Sequence, residues 1–339
     1  MSKNKEKMAM LNGAYAGFYT PAMSNGLDVD FKKFRELVNF VLDAGFEHGI
    51  GTLMTAGGAG EGYFLIDEEW KELIKITAQE CKGKAATIAG VFDRGLKGAL
   101  DKILFAEEQG IDFIQLSPPH NQHPTDIEIY DYFKTIDEAV SKIGILLYHT
   151  HWDFIENYQM RMPLLKKITD LDSVLGIKWH TMDLSLFTEA LQQLHDKVSF
   201  IDNSGWVSTT AQNQFDFHMF MSPSINWDPE VSIEAAKLFI DKKYQEFVKI
   251  YKPLSAPKWA VVTAVKEEMF GAELPGYFRN EVQIPLWCSL GEGTVNKAIV
   301  EILDKPLGPA FKPQYQLSDE GKEKAKKIIR NDPAVKYIQ

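Results

Sequence analysis

The sequence has few cysteines and no excess of positive charge. Only two of its 339 residues are cysteines, Cys81 and Cys288, and they lie far apart without the spacing of a metal site. A disulfide framework is therefore not expected, and a reducing compartment fits better. The formal net charge is −10, which disfavours nucleic acid and anionic membrane surfaces as partners.

Targeting and membrane-spanning segments are also missing from the sequence. Residues 1–12 are polar and rich in lysine, and no apolar core of the signal-peptide type follows them. No run approaches the roughly eighteen apolar residues that a membrane helix requires. These absences predict a cytoplasmic protein without membrane contact.

What the chain does contain is a regular alternation of short apolar strands with amphipathic helices, at roughly thirty residues per unit. Eight strands are predicted, over residues 14–20, 50–55, 86–92, 113–119, 144–150, 174–180, 198–202 and 218–225. Alternation predicts an α/β protein with a parallel sheet, and eight units predict closure into a TIM (β/α)8 barrel. An open doubly wound sheet is the alternative, although no GxGxxG motif follows the first strand.

Beyond about residue 228 the pattern is helical only. Amphipathic helices are predicted over residues 229–251, 256–270 and 281–303, followed by a proline-rich stretch and a basic helix over residues 320–330. The predicted organisation is an N-terminal extension (1–12), the barrel (13–228) and a C-terminal helical extension packed on the barrel (229–339).

Reactive or glycine-rich residues lie at the ends of three predicted strands. Lys178 and Tyr148 lie near the ends of two of them, and a third runs into the loop Gly57-Gly58-Ala59-Gly60-Glu61. Active sites of parallel barrels lie at the C-terminal ends of the strands, so we expect these features to meet there. Taken alone, each has a simpler interpretation: a frayed strand end, a core tyrosine and a tight turn. Glu61 is expected to be a structural hydrogen-bond acceptor.

Several segments resemble the class I pyruvate-dependent aldolases, the family that includes N-acetylneuraminate lyase and dihydrodipicolinate synthase. The resemblance covers nearly the whole chain, and its five matches occur in the family's order and spacing. They are Thr20-Pro21 with Asn25-Gly26 and Asp30, the glycine loop, Tyr148-His149, Gly176-Ile177-Lys178, and Gly308-Pro309 with Pro313, Leu317 and Glu320.

The resemblance implies a barrel enzyme with a C-terminal helical extension and a homo-oligomeric state, dimer or tetramer. It implies that Lys178 forms a Schiff base with a 2-oxo acid, that Tyr148 transfers protons, and that the backbone of Gly58 and Ala59 holds the substrate carboxylate. Thr20 is expected to contact the substrate too. No metal, and no cofactor besides the covalent Schiff base, is implied.

The chemistry is consistent with the residue types themselves. Making or breaking a carbon–carbon bond beside a ketone requires an electron sink, which an iminium on a lysine supplies. The amine must be neutral to attack, so its pKa has to fall from about 10.4 towards neutrality. The neighbours Ile177 and Trp179 and a barrel interior of branched residues would desolvate Lys178, and Tyr148 can relay protons.

The departures from the family pattern concern the substrate. Gly58 and Ala59 replace two loop hydroxyls, so backbone N–H groups alone would hold the carboxylate. Asp153 replaces the arginine of dihydrodipicolinate synthases, and an acidic residue there would repel a second carboxylate. His120 lies where that enzyme has a second tyrosine and could carry protons instead. We therefore expect an uncharged or hydroxylated aldehyde partner, as in a 2-keto-3-deoxy sugar acid that is cleaved or dehydrated.

Further substrate contacts are expected from residues at strand ends or alternating with Lys178. These are His120, His180, Asn203 and Ser204.

Two other functions remain open. A metal-dependent hydrolase could use the histidines near predicted strand ends, which are His120, His123, His149, His151 and His180. Strand alternation argues against this, because His149 would point away from the barrel interior if Tyr148 and Lys178 point into it. A catalytically silent barrel that binds a sugar acid is the third possibility, since the loop hydroxyls are absent.

Overall fold

The chain folds into the predicted parallel barrel. The computed structural model describes residues 5–119, 124–150, 160–180, 183–203, 218–251, 253–270 and 292–331. The strands are β1 (Gly13–Gly17), β2 (Gly51–Thr55), β3 (Ala86–Val91), β4 (Phe113–Leu116), β5 (Gly144–Thr150), β6 (Val174–His180), β7 (Ser199–Asp202) and β8 (Met219–Met221). Neighbouring strands are parallel, and β8 pairs with β1 to close the barrel. The open doubly wound alternative is therefore wrong.

In the described residues, one α-helix lies between each pair of successive strands from β1 to β7, and further helices follow β8. In the described ranges the helices are α1 (Lys5–Ala9), α2 (Phe31–Asp43), α3 (Asp67–Cys81), α4 (Leu96–Gln109), α5 (Asp126–Ala139), α6 (Met162–Thr169), α7 (Leu184–Leu194), α8 (Pro229–Ile240), α9 (Tyr244–Tyr251), α10 (Ala256–Phe270), α11 (Glu292–Ile302) and α12 (Asp319–Arg330). None of these helices combines the length and the apolar character that crossing a bilayer requires.

Two segments differ from the sequence prediction. The helix predicted over residues 229–251 is divided into α8 and α9, because Lys242 between them has a φ of 57°, which no right-handed helix accommodates. The eighth strand ends at Met221, and Pro223–Asn226 forms a 3-10 helix instead of continuing it. Proline lacks the N–H group that a further ladder hydrogen bond needs.

Alternate strand residues divide the core into two layers. One set fills the barrel interior: Tyr15, Met54, Ile88, Phe113, Leu146, Leu175, Ile201 and Met219, together with Leu11 from the segment before β1. The other set packs against the surrounding helices and forms the larger cluster. Because Leu11 precedes the first strand, it fills the end of the barrel opposite the predicted site.

A β-bulge determines which residues of β6 face the interior. Val174 is the register partner of Ile145 and Gly176 that of Leu146, so Leu175 is an extra residue without a partner. After the bulge, Ile177 and Trp179 lie in the outer cluster. Lys178 alternates with them and therefore faces the interior of the barrel.

A buried ion pair joins the C-terminal region to the glycine loop. Lys297 Nζ on α11 lies 3.4 Å from Glu61 Oε2, and both side chains are buried. Lys297 also donates to the carbonyl oxygen of Thr20, and Glu61 Oε1 accepts from Phe311 N at 2.9 Å and Gln314 Nε2 at 2.5 Å. Burial lowers the pKa of Lys297, against the opposing effect of Glu61. Glu61 is thus the structural acceptor expected from the sequence.

We expect Lys297→Met to destabilise the protein by about 3–5 kcal/mol, because it leaves the Glu61 carboxylate buried without its cation. The double variant Glu61→Gln/Lys297→Met should recover most of this loss, since no charge then remains buried. Urea unfolding followed by circular dichroism measures both. Lys243→Met is the control, because the exposed pair of Lys243 with Asp241 contributes less than about 1 kcal/mol. A loss at Lys297→Met no larger than the control's would contradict the prediction.

Candidate active site

Lys178 lies inside the barrel beside Tyr148. The two residues are register partners on β6 and β5. Lys178 Nζ lies 4.9 Å from the centroid of the Tyr148 ring and 4.8 Å from that of Tyr15 on β1. Lys178 is 5% exposed and Tyr148 4%. The amine is therefore held between two aromatic rings with almost no contact with solvent.

The two aromatic rings stabilise a positive charge on Lys178, whereas burial destabilises it. Aromatic faces attract a cation, whereas removal from water penalises it. An iminium carries the same positive charge as an ammonium group, so the two rings would also stabilise a Schiff-base intermediate. The site thus suits a lysine that alternates between a neutral amine and a cationic adduct.

Tyr15 was not identified from the sequence, although its position in an apolar strand is typical of an inward-facing residue. Its hydroxyl donates to Gln115 Oε1 at 2.7 Å. Burial raises the pKa of Tyr15 well above its usual value, so the phenol stays protonated. Tyr15 therefore supplies a ring to the site, and the role of Tyr148 in proton transfer stays a prediction.

The glycine loop at residues 57–61 follows β2 at the same end of the barrel and contains two N–H groups that could bind a ligand. Within the described part of the chain, nothing accepts a hydrogen bond from the N–H of Gly58 or Ala59. Thr20 Oγ1 donates to Gly60 O at 2.5 Å, so this hydroxyl holds the loop in place. Two adjacent free N–H groups after a strand are suited to an anion such as a carboxylate.

The loop glycines are present for different reasons. A Cβ at Gly60 or Gly62 would lie 2.6 or 1.9 Å from a backbone carbonyl oxygen, so no side chain fits there, whereas at Gly57 it would meet the flexible end of the Met54 side chain at 2.1 Å. Gly58 has neither this clash nor a left-handed backbone. The three atoms nearest to a Cβ at Gly58 all belong to the carboxyl group of Glu292, with Oε2 at 3.3 Å and Oε1 at 3.5 Å.

Glu292 is the first residue of α11 and brings a carboxyl group to this loop. Burial raises its pKa and Glu61 raises it further, while Lys178 and Lys258 act in the opposite direction. Glu292 was not identified from the sequence. A single acidic residue between two glycines, in an otherwise apolar stretch, is the signal that could have indicated it.

The remaining predicted site residues are only partly described. His180 is buried and lies two residues after Lys178, on the same side of β6. Asn203 follows β7 and donates its backbone N–H to Trp179 O at 2.9 Å. His120 and Ser204 lie outside the described residues. The structure thus brings together Lys178, Tyr148, the loop and the end of β6, and their roles stay predictions.

His149 points away from the barrel interior, as strand alternation predicted. Its ring lies against Trp179 of the outer cluster, with centroids 4.4 Å apart, and its Nε2 accepts from Met160 N at 3.0 Å. Among the described residues, no group of three histidine, cysteine, aspartate or glutamate side chains could hold a metal ion. Three histidines of the metal hypothesis lie outside those residues: His120, His123 and His151.

Comparisons of the sequence with known proteins point to one family. The model of the dihydrodipicolinate synthetase family matches residues 10–212. The chain is 25% identical over 315 residues to the 4-hydroxy-tetrahydrodipicolinate synthase of Fervidobacterium nodosum, which covers 88% of this chain and 98% of that enzyme. It is 31% identical over 180 residues to the enzyme of the same name from Nitratidesulfovibrio vulgaris, a match that spans 53% of this chain and 59% of that enzyme.

Solved structures show the same fold. The dihydrodipicolinate synthase of Oceanobacillus iheyensis has a TM-score of 0.75 at 17% identity, covering 96% of this chain and 97% of that one. The N-acetylneuraminate lyase of Mycoplasma synoviae has a TM-score of 0.71 at 18% identity, covering 95% and 97%. Because the family model matches more than half of a chain that also adopts this closed barrel, the protein belongs to the dihydrodipicolinate synthetase family.

Proposed function

We propose that the protein forms a Schiff base between Lys178 and a 2-oxo acid, and makes or breaks the carbon–carbon bond beside the ketone. Membership of the family supports the reaction class, a lyase of the aldolase type. The observation that supports a Schiff base on Lys178 is its buried amine, which lies between the rings of Tyr15 and Tyr148. The free N–H groups of Gly58 and Ala59 add a place for the substrate carboxylate.

In the cleavage direction, the neutral amine of Lys178 attacks the ketone carbon, and the carbinolamine loses water to give an iminium. Tyr148 relays the proton from the C4 hydroxyl as the C3–C4 bond breaks. The bonding electron pair moves to the iminium nitrogen, which yields an enamine and an aldehyde. Protonation of the enamine at C3 and hydrolysis of the imine then release pyruvate and restore Lys178.

The second part of the substrate is proposed to be uncharged or hydroxylated, as in a 2-keto-3-deoxy sugar acid that is cleaved or dehydrated. Its support comes from the sequence, in which Asp153 stands where an arginine would bind a second carboxylate. His180 and Asn203 supply polar groups at the same end of the barrel for hydroxyl groups of the substrate. The proposed partners are this small molecule and further copies of the chain, in a dimer or tetramer.

Incubation with pyruvate and borohydride should attach a reduced pyruvate adduct to Lys178. Intact mass spectrometry measures the adduct, and peptide mapping locates it. Lys297 is an internal control, because it is also buried and forms an ion pair with Glu61, and it should stay unmodified. The variant Lys178→Arg keeps the charge but cannot form the imine, so it should lose both the adduct and turnover. An adduct elsewhere, or turnover that survives in Lys178→Arg, contradicts the proposal.

Tyr148→Phe should lower kcat by about 10²- to 10⁴-fold, because it removes the hydroxyl that transfers protons and keeps the ring beside Lys178. Tyr15→Phe is the matched control, since its hydroxyl is bonded to Gln115 and only its ring faces the amine. The control should change kcat by less than about tenfold. Steady-state kinetics on a cleaved 2-oxo acid measures both, and equal losses in the two variants would exclude Tyr148 as the proton carrier.

A further inference from the structure

The start of α11 is fixed against the glycine loop by contacts on both sides. Asn296 Nδ2 donates to Ala59 O at 3.1 Å. Gly293 leaves room for Glu61, because a Cβ there would lie 2.1 Å from Glu61 Oε1. One turn further along, Lys297 forms the ion pair with Glu61. The position of the first residue of the helix, Glu292, is therefore set by the fold of the barrel mouth.

The carboxyl group of Glu292 fills the space that Gly58 leaves open. A side chain at Gly58 would be compatible with its backbone, and the three nearest atoms to its Cβ, among the described residues, are those of the Glu292 carboxyl group. Gly60 and Gly62, in contrast, are required by their close approach to backbone carbonyl oxygens. Glycine at position 58 thus makes room for a carboxyl group beside the free N–H groups of Gly58 and Ala59.

We propose that Glu292 is a substrate-binding residue whose carboxyl group, in its neutral form, donates a hydrogen bond to the carboxylate of the 2-oxo acid. The carboxylate then lies between the O–H of Glu292 and the N–H groups of Gly58 and Ala59. The C-terminal region supplies in this way the hydroxyl donor that the loop itself lacks. The inference rests on the proposed function, because it takes the Schiff-base substrate as the ligand.

The surroundings of Glu292 favour its neutral form. Burial raises the pKa of Glu292, and the nearby carboxylate of Glu61 raises it further. Lys178 on β6 and Lys258 on α10 lower it, but burial has the largest effect. Tyr19, after β1, also faces Glu292, and its own raised pKa keeps it uncharged. A substrate carboxylate would add a second negative charge and raise the pKa of Glu292 again.

A proton balance follows from this arrangement. An ionised Glu292 must take up one proton when the carboxylate binds, whereas a neutral Glu292 takes up none. The affinity for the 2-oxo acid should therefore be constant below the pKa of Glu292. Above that pKa it should fall by up to about tenfold per pH unit.

Pyruvate is the probe, and the borohydride-trapped fraction gives its apparent affinity between about pH 5 and pH 9. Any pH dependence that comes from Lys178 is common to all variants, so the contribution of Glu292 is the difference between proteins measured under the same conditions. Glu292→Gln keeps a hydrogen-bond donor of the same shape that does not titrate. Its affinity for pyruvate should therefore not fall with rising pH as the wild-type affinity does. Glu292→Ala should bind pyruvate about ten- to hundredfold more weakly at low pH, because the donor is gone.

A second pair of variants tests the location of the donor. In Glu292→Ala/Gly58→Ser, the serine hydroxyl enters the vacated space, and affinity at low pH should return to within about fivefold of wild type. Gly58→Ser alone should weaken binding, since its Cβ meets the Glu292 carboxyl at 3.3 Å. Circular dichroism shows whether each variant is folded, which separates loss of binding from loss of structure.

Three results would overturn the inference. If Glu292→Gln keeps the wild-type pH dependence, Glu292 is not the titrating donor. If Glu292→Ala binds pyruvate as tightly as wild type or more tightly, the carboxyl group obstructs the site instead of completing it. If wild type forms no adduct at Lys178 at any pH, both the proposed function and this inference are wrong. If the adduct forms but the affinity for pyruvate does not depend on the residue at position 292, only this inference is wrong.

Discussion

The buried ion pair between Glu61 and Lys297 is the interaction on which the arrangement of the site depends. Burying two charges is costly, and the cost is offset only if the remaining polar atoms are satisfied. Here Thr20 O accepts from the lysine, and Phe311 N and Gln314 Nε2 donate to the glutamate. The pair fixes α11 on the loop that follows β2, and so determines what lies over the free N–H groups.

The C-terminal region consequently contributes more than packing to the barrel. Its helix α11 carries Glu292 to the loop, Asn296 to Ala59 and Lys297 to Glu61. The site then contains an amine on β6, a phenol on β5, two N–H groups after β2 and a carboxyl group from outside the barrel strands. The aromatic rings that flank Lys178 add a preference for positive charge at the amine, which an iminium satisfies as well as an ammonium group does.

The sequence predicts the barrel well because a buried strand with period two and a helix with a three-four period are local patterns. The inward direction of Lys178 follows from its apolar neighbours Ile177 and Trp179. Counting alternately from Val174, however, would place Lys178 on the outside, because the bulge at Leu175 shifts the pattern. The one signal for the bulge in the sequence is Gly176, an isolated glycine inside a strand. The break at Lys242, where a lysine adopts a left-handed conformation, has no such signal.

The part of the site that could not be predicted depends on contacts between distant segments. From the sequence, Gly58 is indistinguishable from an ordinary turn glycine, and Glu292 from any acidic residue at the start of a helix. Only the folded chain shows that one makes room for the other. Tyr15 was not identified because an inward-facing tyrosine in an apolar strand has the sequence pattern of a core residue. Only the structure shows that its ring lies 4.8 Å from the amine of Lys178.

A crystal structure of the borohydride-reduced pyruvate adduct tests the account most directly. We predict continuous density from Lys178 Nζ to the substrate carbon C2. The pyruvate carboxylate should lie within hydrogen-bonding distance of Gly58 N, Ala59 N and a carboxyl oxygen of Glu292. A carboxylate bound elsewhere in the barrel, or a Glu292 side chain displaced from the loop by the adduct, would contradict the account.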